Sequence, residues 1–93
     1  MIRIRWTAPA AEDLNRIVRY IRRDNPEAAR RVAQTIYEGC ASLTSSPNRG
    51  RKGTEPRTQE LILAPLPYIA VYRVTESTVE ILRIWQGAQQ RTE

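Results

Sequence analysis

Chemistry in this chain falls to arginine. All but Lys52 of its 15 basic residues are arginine, set against 10 acidic residues, and no histidine occurs. Without histidine the commonest general acid–base is missing, and so is any Ser–His or Cys–His nucleophile pair. No Cys/His cluster exists to hold zinc, the carboxylates do not gather for metal or glycosidic work, and nothing points to a cofactor. The remaining groups could still promote RNA cleavage, with cations stabilising a pentavalent phosphate while a perturbed Lys or Glu moves a proton. The residues suited to this are Arg49, Arg51, Lys52, Arg57, Arg73 and Arg83, with Glu60 as base. Solvated or ion-paired surface groups are the alternative reading of each. The net charge of +5 favours a polyanionic partner, RNA or DNA, or an acidic protein. Arginine in place of lysine tilts toward specific contacts, because its guanidinium fork grips phosphate or carboxylate at two points.

The elements that must position these groups are legible in the apolar spacing. The stretch 67–74 (Pro-Tyr-Ile-Ala-Val-Tyr-Arg-Val) reads as a central strand, 79–86 as the next and 58–63 as the one before. Together they predict an antiparallel meander. Residues 2–6 alternate apolar and charged, as a short half-buried strand does. Thr7 then caps a helix with Pro9 in its first turn and with Glu12 and Asp13 near the positive end of its dipole. Ala10, Leu14, Ile17, Val18 and Ile21 form its apolar stripe, with Arg16, Arg19, Arg22 and Arg23 on the other side. Asn25 caps a second helix whose stripe is Ala29, Val32, Ala33, Ile36, Cys40 and Leu43, so the two form a helical hairpin. Cys40 on that stripe reads as a buried, inert thiol. Residues 47–57 form the one long loop, a mobile cationic arm.

Strict alternation puts Tyr68, Ala70, Tyr72 and Val74 on one face of the central strand and Ile69, Val71 and Arg73 on the other. In the last strand it sets Val79, Ile81, Arg83 and Trp85 against Glu80, Leu82, Ile84 and Gln86. Both faces then read as largely apolar, although two short helices cover only one. A C-terminal segment, a second copy or a partner protein is expected over the remainder. Hairpin register stays open: a two-residue turn at Glu76-Ser77 sets Arg73 opposite Glu80, whereas a Thr75–Val79 flank places Arg73 and Arg83 together as an anion site.

The 93 residues fit one domain, 1–93, with a modest core. A lone cysteine suits a reducing cytoplasm, and no unbroken apolar segment reads as a signal peptide or membrane span.

The order strand, helical hairpin, three-stranded meander forming one small sheet is an α+β arrangement that resembles the RelE/ParE superfamily of bacterial toxins. The matching text is Trp6-Thr7, Ala11-Glu12-Asp13-Leu14, Ile17 with Tyr20-Ile21, and Asn25-Pro26-Glu27-Ala28-Ala29. It continues through Gly50-Arg51, Glu60-Leu61, the strand 67–74, the run from Val79 to Ile84, and Gly87-Ala88-Gln89. The resemblance implies a growth-arresting toxin of a type II toxin–antitoxin module, held by an acidic antitoxin and able to join a higher-order complex. It implies one of two targets. ParE-like members poison DNA gyrase, and RelE-like members cut mRNA in the ribosomal A site. RelE-like nucleases typically carry an arginine where Ile69 stands and basic or aromatic groups in the tail where Ala88-Gln89-Gln90 stand, and many relatives have a histidine where Gln86 stands. These departures favour the gyrase branch, with the endoribonuclease as the alternative. The antitoxin-binding candidates are then Arg16, Arg19, Tyr20, Arg23, Arg30, Tyr37 and Arg73. Those for the target are Arg49, Arg51, Arg57, Arg83, Trp85, Gln86 and Arg91. A nuclease would use Arg51, Lys52, Arg57, Arg73 and Arg83.

Overall fold

A computed structural model describes residues 2–87. Strand β1 (Arg3–Trp6) leads into helix α1 (Ala8–Arg22), then helix α2 (Pro26–Ala41) and a 3-10 turn at Ser42–Thr44. Strands β2 (Arg51–Lys52), β3 (Gln59–Ile62), β4 (Tyr68–Val74) and β5 (Thr78–Gln86) follow. They form one five-stranded sheet in the order β1-β5-β4-β3-β2. The meander is antiparallel, while β1 returns to pair in parallel with β5. The fold is thus α+β with a mixed sheet.

Local chemistry sets the helix ends. The Thr7 hydroxyl accepts from the Ala10 N–H at 3.4 Å, and Asn25 Oδ1 accepts from the Ala28 N–H at 3.0 Å. Proline in the first turn of each helix removes an N–H that would have no helical partner. The hairpin lays Ala10, Ile36 and Cys40, and the 3-10 turn lays Leu43, against Leu61, Ala70, Tyr72, Ile81 and Ile84 of the sheet. Each fully buried Ile or Leu contributes about 1.5–3 kcal/mol. An exposed ion pair contributes about 0–1 kcal/mol, so the core fixes the fold and the charges refine it. Burial pushes the Cys40 thiol up to about 12, which keeps it protonated.

Two expectations change. First, the 47–57 loop is not a free arm, because Arg51 and Lys52 pair with Glu60 and Gln59 as a short edge strand. Buried Tyr72 pins it further. Its hydroxyl accepts from the Gly50 N–H at 2.9 Å and donates to the Pro47 carbonyl at 2.8 Å. A Cβ at Gly50 would stand 2.6 Å from that hydroxyl and 2.8 Å from the Glu60 carbonyl, so the loop passes too close for a side chain.

Second, β5 does not alternate strictly. Tyr72 faces Ile81 but Val71 faces Arg83, so Leu82 is an extra residue in a bulge. The bulge brings Ile84 into the core with Val79 and Ile81, and it turns Arg83 away from their line. The second face is therefore charged, carrying Arg5, Glu80, Arg73, Glu60 and Arg83 by register. Its apolar centre, Ile69 and Val71, is only 6% and 5% exposed. Ile62, at 52%, is the large apolar side chain this face leaves open. The broad uncovered apolar face expected from alternation is absent among the described residues. The C-terminal segment 88–93 lies outside them.

Tyr72→Phe should leave the Gly50 N–H and Pro47 carbonyl without their partner and lower stability by about 1–3 kcal/mol. Urea unfolding checks this. An unchanged midpoint would show that the loop holds without the hydroxyl.

Candidate functional site

Asp13 is a buried carboxylate held by four hydrogen bonds. Parallel pairing with β1 ends at Trp6–Ile81, which leaves the following edge of β5 without a strand neighbour. Helix α1 takes that place. The Thr7 hydroxyl donates to the Ile81 carbonyl at 2.8 Å while capping the helix, and the Thr7 N–H donates to the same carbonyl at 3.1 Å. Farther along, the Asp13 carboxylate accepts from the Ile84 N–H at 3.0 Å and from two Arg83 nitrogens at 2.7 and 3.0 Å. Arg16 adds a fourth bond at 3.2 Å.

Asp13 is 1% exposed, and burial by itself would raise its pKa. The Arg83 hydrogen bond, the Ile84 N–H, the Arg83 charge and the Arg16 bond outweigh that effect and hold the carboxyl below its ordinary 3.8. Arg83 is correspondingly pushed up, first by its bond to Asp13. Sequence reading placed Asp13 merely as a complement to the helix dipole. The missed signal was its position: three residues after Ala10 and four before Ile17, it falls on the apolar stripe.

The register question resolves toward the Glu76-Ser77 turn, closed by Thr75 N–H to Thr78 O at 2.8 Å. Arg73 stands opposite Glu80 and binds it at 2.5 Å. Arg5 reaches the same carboxylate at 2.6 Å. The Arg73 hydrogen bond first of all holds Glu80 below its ordinary range. The bulge also puts Arg83 on the face of Arg73, yet the two do not converge on an anion, because each is bound to its own carboxylate.

Of the cations suited to cleavage, Arg51 binds Glu60 at 3.1 Å, and Arg49 donates to the Ser42 hydroxyl at 2.6 Å. The structure brings together Lys52, Arg57 and Arg73, which line an open groove of about 730 Å³ with Asn48, Thr58 and Gln59. Arg57 adopts a positive φ of 65°.

A second concave surface lies along α1. Arg16, Arg19, Tyr20 and Arg23 line its outer side. Arg16, Ile17, Tyr20, Tyr68, Ile84 and Gln86 enclose about 380 Å³ between the helix and the sheet. Tyr20 is 70% exposed there. Four of the antitoxin-binding candidates thus share one surface. Tyr37 stands apart, exposed and stacked on Trp6 with ring centroids 6.1 Å apart. Arg30 is exposed on α2, and Arg73 is at the sheet groove. The target-binding candidates are dispersed: Gln86 lines the α1 cleft, Trp85 is half-buried on the strand, and Arg91 lies outside the described residues.

Comparison with known proteins agrees with this architecture. Residues 4–91 match the family model described as ParE toxin of type II toxin-antitoxin system, parDE. Y4kP of Sinorhizobium fredii, named as a candidate toxin, is 43% identical over 88 residues, covering 95% of this chain and 91% of that one. Toxin RelE1 of Caulobacter vibrioides is 34% identical over 84 residues, covering 88% and 89%. A solved chain of the chromosomal ParDE TA system from P. aeruginosa superposes with a TM-score of 0.85 at 32% identity, covering 92% of this chain and 96% of that one. A mutant of YafQ from E. coli shares the fold alone, with a TM-score of 0.61 at 11% identity, covering 99% and 100%.

Asp13→Asn should lower stability at neutral pH by about 1–3 kcal/mol, since Arg83 is partly exposed and water screens the pair. The sign with pH follows from the lowered carboxyl. The ionised form stabilises the fold fully above the ordinary carboxylate range, and that contribution is lost as pH falls through the folded value. The gap in melting temperature between wild type and Asp13→Asn should therefore narrow in acid. A gap that widened toward acid would contradict the assignment.

Proposed function

For a chain that belongs to the ParE toxin family of type II toxin–antitoxin systems, we propose that growth arrest comes from holding a protein target, DNA gyrase, and not from cutting RNA. The observation that carries this reading is the commitment of the arginines. Of the five cations a nuclease would use, Arg51, Arg73 and Arg83 are bound to Glu60, Glu80 and Asp13 respectively. Glu60, the carboxylate suited to act as base, is 4% exposed and already accepts from Arg51. Transition-state stabilisation needs donors aimed at the developing charge, and donors satisfied by neighbouring carboxylates must first be released. Holding a protein surface makes no such demand.

An antitoxin partner goes with the family. We place it along α1, where Arg16, Arg19 and Arg23 suit acidic side chains and Ile17, Tyr20 and Tyr68 offer an apolar seat. An acidic, amphipathic segment is the matching chemistry. Tyr20 is the natural anchor, since exposed aromatic rings beside arginine are the usual centres of binding energy.

Purified toxin should block DNA supercoiling by gyrase and leave mRNA on programmed ribosomes intact. Cleavage of A-site codons with supercoiling unaffected would overturn the reading in favour of the endoribonuclease. Tyr20→Ala should weaken antitoxin binding by about tenfold or more, measured by calorimetry, while gyrase inhibition persists.

A further inference from the structure

We propose that the groove at the end of the sheet binds the phosphate backbone of duplex DNA. The β2–β3 hairpin builds it. Its loop is closed by the Gly53 N–H donating to the Thr58 carbonyl at 2.8 Å, and by the Thr58 hydroxyl and N–H both donating to the Glu55 carbonyl, at 2.7 and 3.2 Å. A Cβ at Gly53 would stand 2.3 Å from the Thr58 hydroxyl oxygen, so the two strands meet here without room for a side chain. Lys52 and Arg57 thus sit at opposite ends of a tied loop and not on a free arm. Arg57 is held at φ 65°, a conformation uncommon outside glycine that persists where the surrounding bonds impose it.

The chemistry of the groove is one-sided. Lys52, Arg57 and Arg73 line it with the amide and hydroxyl groups of Asn48, Thr58 and Gln59, and no acidic residue lines it. Among the described residues, Lys52 and Arg57 make no ion pair, unlike Arg5, Arg16, Arg31, Arg51, Arg73 and Arg83. On the sheet Arg5, Arg51, Arg73 and Arg83 are neutralised locally, whereas Lys52 on β2 and Arg57 in the loop beside it are not. Lysine and arginine flanked by neutral donors are the groups that bind phosphate oxygens without reading sequence.

The shape selects among nucleic acids. Proteins that hold single strands stack bases on aromatic side chains, and no aromatic residue lines this groove. The exposed rings of Tyr20 and Tyr37 belong to the helical surface. What remains is contact with phosphates alone, which suits the regular backbone of a duplex. This goes beyond the choice of target, because it requires no gyrase.

The test is fluorescence anisotropy of the full-length toxin with a labelled 20-base-pair duplex, titrated over salt with no gyrase present. The double variant Lys52→Ala/Arg57→Ala should bind about tenfold or more weakly, with a log–log salt slope shallower by about two. Arg3→Ala/Arg22→Ala removes the same charge from exposed positions outside the groove and should bind like wild type. Circular dichroism confirms that both variants are folded. If the two double variants lose equal affinity, the contact is the net charge of the whole surface and the proposal fails. It also fails if single-stranded RNA of equal length binds as tightly as the duplex. Loss of gyrase inhibition in a separate supercoiling assay would bear on the target reading alone.

Discussion

A buried carboxylate must be paired, and for Asp13 the need is met where helix α1 joins the edge of the sheet. Strand β1 is too short to cover the edge of β5, so the chain continues as α1 and supplies hydrogen-bond partners from side chains instead of a strand. Thr7 serves the first carbonyl past β1, and Asp13 serves the N–H of Ile84. Asp13 can be ionised there only because Arg83 meets it with two donors. Arg83 can do so only because the bulge at Leu82 turns it off the core line. Cap, bulge, carboxylate and arginine form one device, and removing any member leaves a polar group without its partner.

The same constraint sorts the charge of the molecule. A net charge of +5 invites the view that the arginines form one polyanion-binding surface. The ion pairs divide it instead. Arg83 and Arg16 converge on Asp13, Arg5 and Arg73 on Glu80, and Arg51 on Glu60, so much of the arginine content is structural. Among the described residues, two cationic concave surfaces suit partners. The α1 surface joins arginine to exposed tyrosine, which suits a protein segment. The groove beside the β2–β3 loop joins cations to neutral hydrogen-bond donors, which suits phosphate.

Much of this was legible from spacing. The caps Thr7 and Asn25, the two apolar stripes and the three strands of the meander follow from local rules, and the structure places them as those rules predict. What local rules do not carry is pairing between distant parts of the chain. Nothing near Ile2–Trp6 signals that it runs parallel to a strand some seventy-five residues later, as the Arg5–Glu80 separation of 75 records. The bulge is likewise invisible, because Leu82 and Ile84 suit an unbroken alternation equally well. That slip reversed the faces of Arg83, Ile84 and Trp85 and produced the expectation of a large bare apolar face. The glycine at position 50 and the tyrosine at position 72 each read as ordinary residues of loop and strand until their close approach is seen.

Whether Arg83 is a member of the scaffold is tested most directly by a double-mutant cycle in urea unfolding, using Asp13→Asn, Arg83→Ala and the two combined. Coupling of about 1–2 kcal/mol between the sites is the predicted result for a partly buried pair. Strictly additive losses would contradict the account, since they would mean that the carboxylate and the guanidinium stabilise the fold independently and that Arg83 is free for other work.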